Sequence, residues 1–374
     1  MMPILEKFRG QGSNGATPIP GIFDFDLPRE LEASEPPEAR GLSRDQVRLM
    51  ISHFRTDEFT HADFRRLQEF ISPGDVLVIN TSGTLKASLN AWRADGTRLE
   101  VHLSTHLPGD IWIVEIRQPD GNSTKPFLYA HPGELLALPA GGRARLLAPR
   151  DPQLRAKQRH GLTPVRLWLA VLELPNPESG YLEKFGSPIR YKYVNKEWPI
   201  SYYQTVYATE MGSAEMPSAG RAFSPEMITN LVARGVQIAP LILHTGVSSL
   251  EFHEMPYEEF YRVPLETTVK VNEAKQRGKR IIAVGTTSIR ALETVTDENE
   301  IVYPGEGWTR LVITSRRRMR VVDALLTGFH EPRASHLAML SALCGIEHLK
   351  LAYQEALAQK YLWHEFGDLH LILP

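Results

Sequence analysis

The chain has 374 residues, enough for two domains or for one large domain carrying an insertion. Its formal net charge is −2, so no global basic field marks a nucleic-acid binder, and any such partner must be met by a local patch. The single cysteine, Cys344, excludes a disulfide framework and multi-cysteine metal sites and suits the cytoplasm, and no apolar run approaches the roughly 20 residues that span a bilayer.

Residues 1–20, with GQGSNGATPIPG, read as a flexible leader without a signal-peptide pattern. Order is expected from IFDFDLP onward. Residues 44–72 read as a strand and then a helix opened by His61, Ala62, Asp63 and Phe64, with Phe64, Leu67 and Phe70 on one face. A Pro-Gly turn precedes the strand Val76–Ile79. The texture then changes. LEVHLS, DIWIVEIR, ARLLAP and VRLWLAVLEL are short and often alternate, and LPGD, PDGN, HPGE and AGGR separate them. Such spacing predicts a small all-β barrel or sandwich.

After residue 176 the pattern is α/β. QIAPLILHTG is a buried strand ending in His244, TTVKVNEAKQRG a helix ending at Gly278, and KRIIAVGTTS the next strand. RLVITSRRRMRVVDALLT reads as a strand pair, SHLAMLSALCG and LKLAYQEALAQKYLW as helices, and DLHLILP as a closing strand. The fold class expected is α/β: a main domain, residues 21–73 and 176–374, interrupted by an inserted β-barrel domain, residues 74–175.

In AVGTTSIR, a strand meets a helix through Gly285, Thr286, Thr287 and Ser288. The first helical turn has unpaired N–H groups and a partial positive charge, and glycine lets a ligand come close, so the junction suits a phosphate or carboxylate. An ordinary β–α turn with a serine N-cap carries the same residues. His244 and His330 each follow an apolar strand, where a histidine serves as a general base or bonds neighbouring backbone. Tyr203, Gln204 and Tyr207 lie in a tyrosine-rich segment able to stack on and read a base, or to pack as a tyrosine layer. On a strand, Arg316, Arg318 and Arg320 would share one face at about 6.6 Å spacing, a row suited to a sugar–phosphate backbone or to a charged sheet edge. There is no HExxH, CxxC, Walker or GxGxxG pattern, so no metal is assigned.

FDLP, HADF, PGDVLVIN, YQTVYA, PSAGRAF, LILHTG, VGTTSIRALET, VVDALLTGFHEP, AYQEALAQKY and FGD occur in this order. That series resembles the S-adenosylmethionine:tRNA ribosyltransferase-isomerase family of queuosine biosynthesis, from about residue 23 to the end. The resemblance implies an α/β domain with an inserted β-barrel. It also implies transfer and isomerisation of the ribosyl part of S-adenosylmethionine onto the aminomethyl group of prequeuosine-modified tRNA. Epoxyqueuosine forms, and adenine and methionine leave. The partners are then tRNA and S-adenosylmethionine, a co-substrate whose sulfonium activates the chemistry, so no metal or other cofactor is expected. A cytoplasmic monomer away from membranes fits. Within that frame, His244 is the preferred base, with His330 second. Gly285, Thr286, Thr287 and Ser288 hold an anion. Arg290 and Glu293 contact S-adenosylmethionine or orient the turn. Tyr203, Gln204 and Tyr207 line a base pocket, and Arg316, Arg318 and Arg320 hold tRNA.

The chain departs from the family pattern at several polar positions. Asn80-Thr81-Ser82-Gly83 stands for Asn-Thr-Arg-Val, and Ser88 for a downstream arginine. Arg221-Ala222 stands for Leu-His, and Gly328 for the asparagine before Phe-His. Val247-Ser248-Ser249 replaces a glycine-rich continuation, and Met255-Pro256-Tyr257-Glu258 replaces Met-His-Ser-Glu. Thr314-Ser315-Arg316 replaces Tyr-Pro-Gly, and Leu362-Trp363-His364-Glu365-Phe366 replaces Arg-Phe-Phe-Ser-Tyr. These changes admit two alternatives: an S-adenosylmethionine enzyme with another acceptor, or a non-catalytic RNA- or ligand-binding relative.

Overall fold

The computed structural model describes residues 22–157, 164–175, 177–247 and 257–374. The leader, and the departures at Ser248, Ser249, Met255 and Pro256, lie outside the described residues.

In chain order the strands are β1 (Arg48–His53), β2 (Glu58–Asp63), β3 (Val76–Asn80), β4 (Ser82–Thr84), β5 (Ser88–Trp92), β6 (Arg98–Leu107), β7 (Ile111–Asp120), β8 (Ser123–Pro126), β9 (Leu135–Ala137), β10 (Arg143–Pro149), β11 (Leu167–Glu173), β12 (Gly186–Ser187), β13 (Glu210–Ser213), β14 (Gln237–Leu243), β15 (Glu259–Val263), β16 (Ile281–Val284), β17 (Gly305–Thr309), β18 (Ala324–Gly328) and β19 (Leu369–Leu373). The helices are α1 (Pro152–Lys157), α2 (Glu178–Phe185), α3 (Pro225–Ala233), α4 (Leu265–Gln276), α5 (Thr286–Thr294), α6 (His336–Cys344) and α7 (Ile346–Ala358).

Nine strands form one mixed sheet in the order β17-β15-β14-β3-β16-β18-β19-β1-β2. The central four, β14, β3, β16 and β18, run parallel. Val-Leu-Val-Ile in β3 is buried on both faces, the pattern of a central parallel strand. Val76 and Val78 face a core shared with α4, α5, α6 and α7, while Leu77 and Ile79 face a second core with Phe64, Phe223, Met227 and Leu231. The second sheet closes on itself, because β11 pairs with both β10 and β7. Its ring β11-β10-β9-β5-β6-β7 is a six-stranded barrel filled by Leu89, Val101, Leu103, Val114 and Trp168.

The α/β-with-barrel expectation holds, with three local corrections. The barrel's first strand begins at Ser88, whereas residues 76–80 lie in the middle of the main sheet, so the insertion starts later than residue 74. Residues 44–72 form a hairpin and then a short 3₁₀ turn, Phe64–Glu69. His61 pairs with Met50 across that hairpin, and Asp63 caps the turn by accepting from Arg65 N at 3.0 Å. Between β17 and β18 there is no second strand. There the buried Glu293 carboxylate accepts the backbone N–H groups of Arg320 (3.0 Å) and Val321 (3.0 Å), taking donors that a strand ladder would need.

Candidate active site

The carboxyl ends of four parallel strands put Asn80, His244, the turn Gly285-Thr286-Thr287 and the Phe329-His330 segment along one edge of the sheet. Open α/β sheets bind ligands at this edge. Asn80 ties three of these elements together. Its Nδ2 donates to Leu243 O (2.8 Å) and to Thr287 Oγ1 (3.2 Å), while its Oδ1 accepts from Leu243 N (3.0 Å).

His244 Nδ1 lies 2.8 Å from Ser82 Oγ, which lies 2.6 Å from Ser213 Oγ. Its Nε2 faces Glu210 Oε1 at 3.6 Å, and Arg262 Nη1 donates to Glu210 at 2.8 Å. The ring stacks on Phe260, and Gly212 packs against it so closely that an added Cβ would sit 2.5 Å from ring atoms. Burial lowers the His244 pKa, with Glu210 opposing, so the imidazole is neutral at pH 7 and able to take a proton. Ser82 is 1% exposed and committed to Ser213, so this line of groups orients the imidazole and is not built for serine nucleophilic attack.

A second group of ionisable side chains lies around the end of β18. His330 Nε2 bonds Thr327 Oγ1 at 3.0 Å, and its ring stacks on His336 at 4.5 Å. Burial holds His330 well below the ordinary range and brings His336 down to about 4, with Arg290 adding to the latter. His364 stacks on Tyr193 at 3.8 Å and is likewise pushed to about 4 by burial. Burial raises Glu365 to about 8, and Glu215 and Glu331 push in the same direction. The two groups are joined through polar contacts: Thr245 Oγ1 donates to Glu215 O (2.6 Å), and Glu259 accepts from Gly246 N (3.1 Å) while pairing with Arg290.

Several expected ligand residues have structural work instead. Ser288 is fully buried and donates to Val284 O at 2.8 Å, so it faces away from the anion turn, and the helix begins at Thr286 after Gly285. Arg290 is held by Glu259 and by Leu311 O (3.1 Å), and burial lowers its pKa to about 10. Glu293 organises residues 320–321. Gln204 imitates a strand partner, accepting from Thr84 N (3.0 Å) and donating to Thr84 O (2.7 Å). Tyr203 packs with Phe366, whereas Tyr207 packs with Phe223 and over Gly220, so the three do not line one base pocket. The arginine row dissolves with its strand: Arg316 and Arg318 are exposed, whereas Arg320 donates to Thr296 O at 3.0 Å.

Nothing in the residue pattern marks Glu210, Ser213, Glu215, Glu331 or His336, and Ser82, Arg221, His364 and Glu365 stand out only as departures from the family pattern. The dipeptide His-Glu occurs at 253–254, 330–331 and 364–365, so by itself it does not single out the last two. Among the described residues, no group of three or more His, Cys, Asp or Glu is placed to hold a metal.

Fold and site define an α/β protein with an interleaved barrel and a cluster of ionisable side chains at the carboxyl ends of its parallel strands. The family model described as queuosine biosynthesis protein matches residues 21–372. The chain belongs to that family. It is 38% identical over 362 residues to the S-adenosylmethionine:tRNA ribosyltransferase-isomerase of Symbiobacterium thermophilum, covering 94% of this chain and 98% of the relative. Identity to the Thermotoga maritima enzyme of the same name is 37% over 368 residues, with the same coverage. The crystal structure of S-adenosylmethionine tRNA ribosyltransferase from Thermotoga maritima matches with a TM-score of 0.50 and 30% identity, covering 94% of this chain and 99% of that one.

Proposed function

We propose that this chain transfers the ribosyl part of S-adenosylmethionine to the aminomethyl group of prequeuosine in tRNA and isomerises it, giving epoxyqueuosine, adenine and methionine. The observation that carries this reading is similarity over nearly the full length of relatives bearing that activity in their names. The chemistry of these side chains suits it. The sulfonium acidifies the carbon beside it, so the protein must supply a base and charge positioning, with no metal or redox cofactor. His244 is the base: neutral, with Ser82 on Nδ1 and Glu210 facing Nε2. His330 is the second candidate. Gly285, Thr286 and Thr287 hold an anion, either the methionine carboxylate or a tRNA phosphate. Arg316 and Arg318 meet the tRNA backbone. We take the acting unit to be a monomer in the cytoplasm with its tRNA substrate; among the described residues, no helix is long and apolar enough to cross a membrane.

One observation favours a second reading, in which the acceptor differs. The position that is arginine in the family pattern is Ser82, whose hydroxyl is spent on His244 and Ser213. The test is to mix protein, S-adenosylmethionine and prequeuosine tRNA and to follow adenine and modified nucleosides by mass spectrometry. Adenine with epoxyqueuosine supports the first reading. S-adenosylmethionine binding without adenine release moves the weight to another acceptor, and no binding at all to a non-catalytic relative.

A further inference from the structure

His244 is fastened to β15 as well as to Ser82. Its backbone N–H donates to Phe260 O at 2.9 Å, and its ring stacks on Phe260 with centroids 5.6 Å apart. Two residues further along β15, Arg262 lies over the same Phe260 ring, 5.6 Å from the centroid. Nη1 and Nη2 of Arg262 donate to the two oxygens of Glu210, at 2.8 and 3.3 Å. Its Nε donates at 3.2 Å to Glu306, its cross-strand neighbour on β17. One guanidinium thus ties a carboxylate of β13 to the sheet that carries His244. The result is a gap. Glu210 Oε1 stops 3.6 Å from His244 Nε2, beyond hydrogen-bond range, and Nε2 has no other polar partner among the described residues.

We propose that Arg262 is a positioning residue: by occupying both oxygens of Glu210, it keeps that carboxylate off the His244 imidazole and leaves Nε2 open to take a proton. This rests on the base role proposed for His244. A Glu210 released from Arg262 has one cation left within reach, the imidazolium. Closing on Nε2 would favour that protonated ring and occupy the nitrogen a base needs free. The surrounding charges agree. Of the described charged groups, Glu210 on β13 favours the protonated imidazole, and Arg262 on β15 opposes it. β4 contributes the uncharged Ser82, and Glu306 on β17 stands behind Arg262. Folding stability does not explain the arrangement. The Arg262 side chain is 39% exposed, that of Glu210 41% and that of Glu306 67%, and ion pairs so open to water contribute little.

The test is a pH titration of the His244 ring by NMR in the full chain, with the signal assigned by its loss in His244→Asn. Arg262→Met keeps an aliphatic stem over Phe260 and removes the charge. It should raise the His244 pKa by about one pH unit or more, with melting temperature nearly unchanged. In a Glu210→Gln background no carboxylate can close on Nε2, so the same change should have far less effect. Arg262→Lys returns a cation to Glu210 and should recover part of the parent value. A His244 pKa unmoved by Arg262→Met overturns the proposal. An equal rise in both backgrounds also overturns it, because Arg262 would then act by its own charge and not by holding Glu210. Adenine release is read separately. An acid limb that moves up with the NMR value upholds both the positioning and the base role. A ring that titrates as expected while the limb stays in place, or while no adenine is released, upholds the positioning and counts against His244 as the base.

Discussion

His244 is where single atoms matter most. Ser82 holds one nitrogen and Glu210 faces the other, an arrangement that suits the proposed role of a neutral base. His244→Ala should slow adenine release by about 10²–10⁴-fold, the usual worth of a positioned general base, with circular dichroism unchanged. Unaltered turnover would move the role to His330. Gly212→Ala probes position without removing the imidazole, because its methyl group would lie 2.5 Å from the ring. Turnover should fall in this variant, and melting temperature should drop as well, because the ring or β13 must give way. His370 tests the buried histidines. Burial lowers its pKa from 6.5 to about 3, with His348 adding to the shift. The unfolded chain therefore takes up this proton more readily than the folded one. The stabilising contribution of neutral His370 is complete above pH 6.5 and is lost as pH falls towards 3. His370→Asn should thus be most costly near pH 7, and its gap to the parent should narrow by about 1.4 kcal/mol per pH unit on acidification. Urea unfolding at pH 7 and pH 5 measures both gaps; an unchanged gap contradicts the argument.

At the scale of elements, the β16–α5 junction shows why a short motif can be both legible and misleading. Gly285 has φ 84° and ψ 155°, a conformation that only glycine adopts without strain, so a β–α turn at this point is written into the residue. Gly285→Ala should cost of the order of 1–3 kcal/mol in urea unfolding and disturb the turn against Ala219, whose Cβ would lie 3.4 Å from the new one. The hydroxyls were harder to read. Thr287 faces Asn80 and Ser288 turns inward to Val284 O, and only the helix phase separates the two. The segment after β17 failed as a strand for a related reason. Its alternating arginines look like a ladder, yet Glu293, some 27 residues earlier in the chain, captures its N–H groups. Local alternation cannot reveal a distant carboxylate that competes for the backbone.

For the whole molecule, tRNA binding must be built from local charge, since the net charge is only −2. Arg318 is 89% exposed beside Glu300 at 3.7 Å, and Arg316 is exposed as well. If both meet the phosphate backbone, Arg316→Ala and Arg318→Ala should each weaken tRNA binding and reduce its salt slope by about 1. Arg320→Ala should leave the slope in place and lower stability, because that side chain bonds Thr296 O. Filter binding across a potassium chloride series, together with thermal melts, separates the two behaviours.

Apolar runs and glycine turns, which act over a few residues, made the central strands β3, β14, β16 and β18, the helices α4 to α7 and the α/β-with-barrel architecture readable from the chain itself. So was the family, through ordered segments that keep the scaffold turns. Tertiary structure alone decided which polar groups meet. Ser82, Glu210, Ser213 and His244 lie up to 162 residues apart, and their contacts depend on how β4, β13 and β14 come together. Hydrogen bonds and pKa shifts depend on distances of a few ångströms and on exclusion of water, and both exist only once strands distant in sequence have been laid side by side.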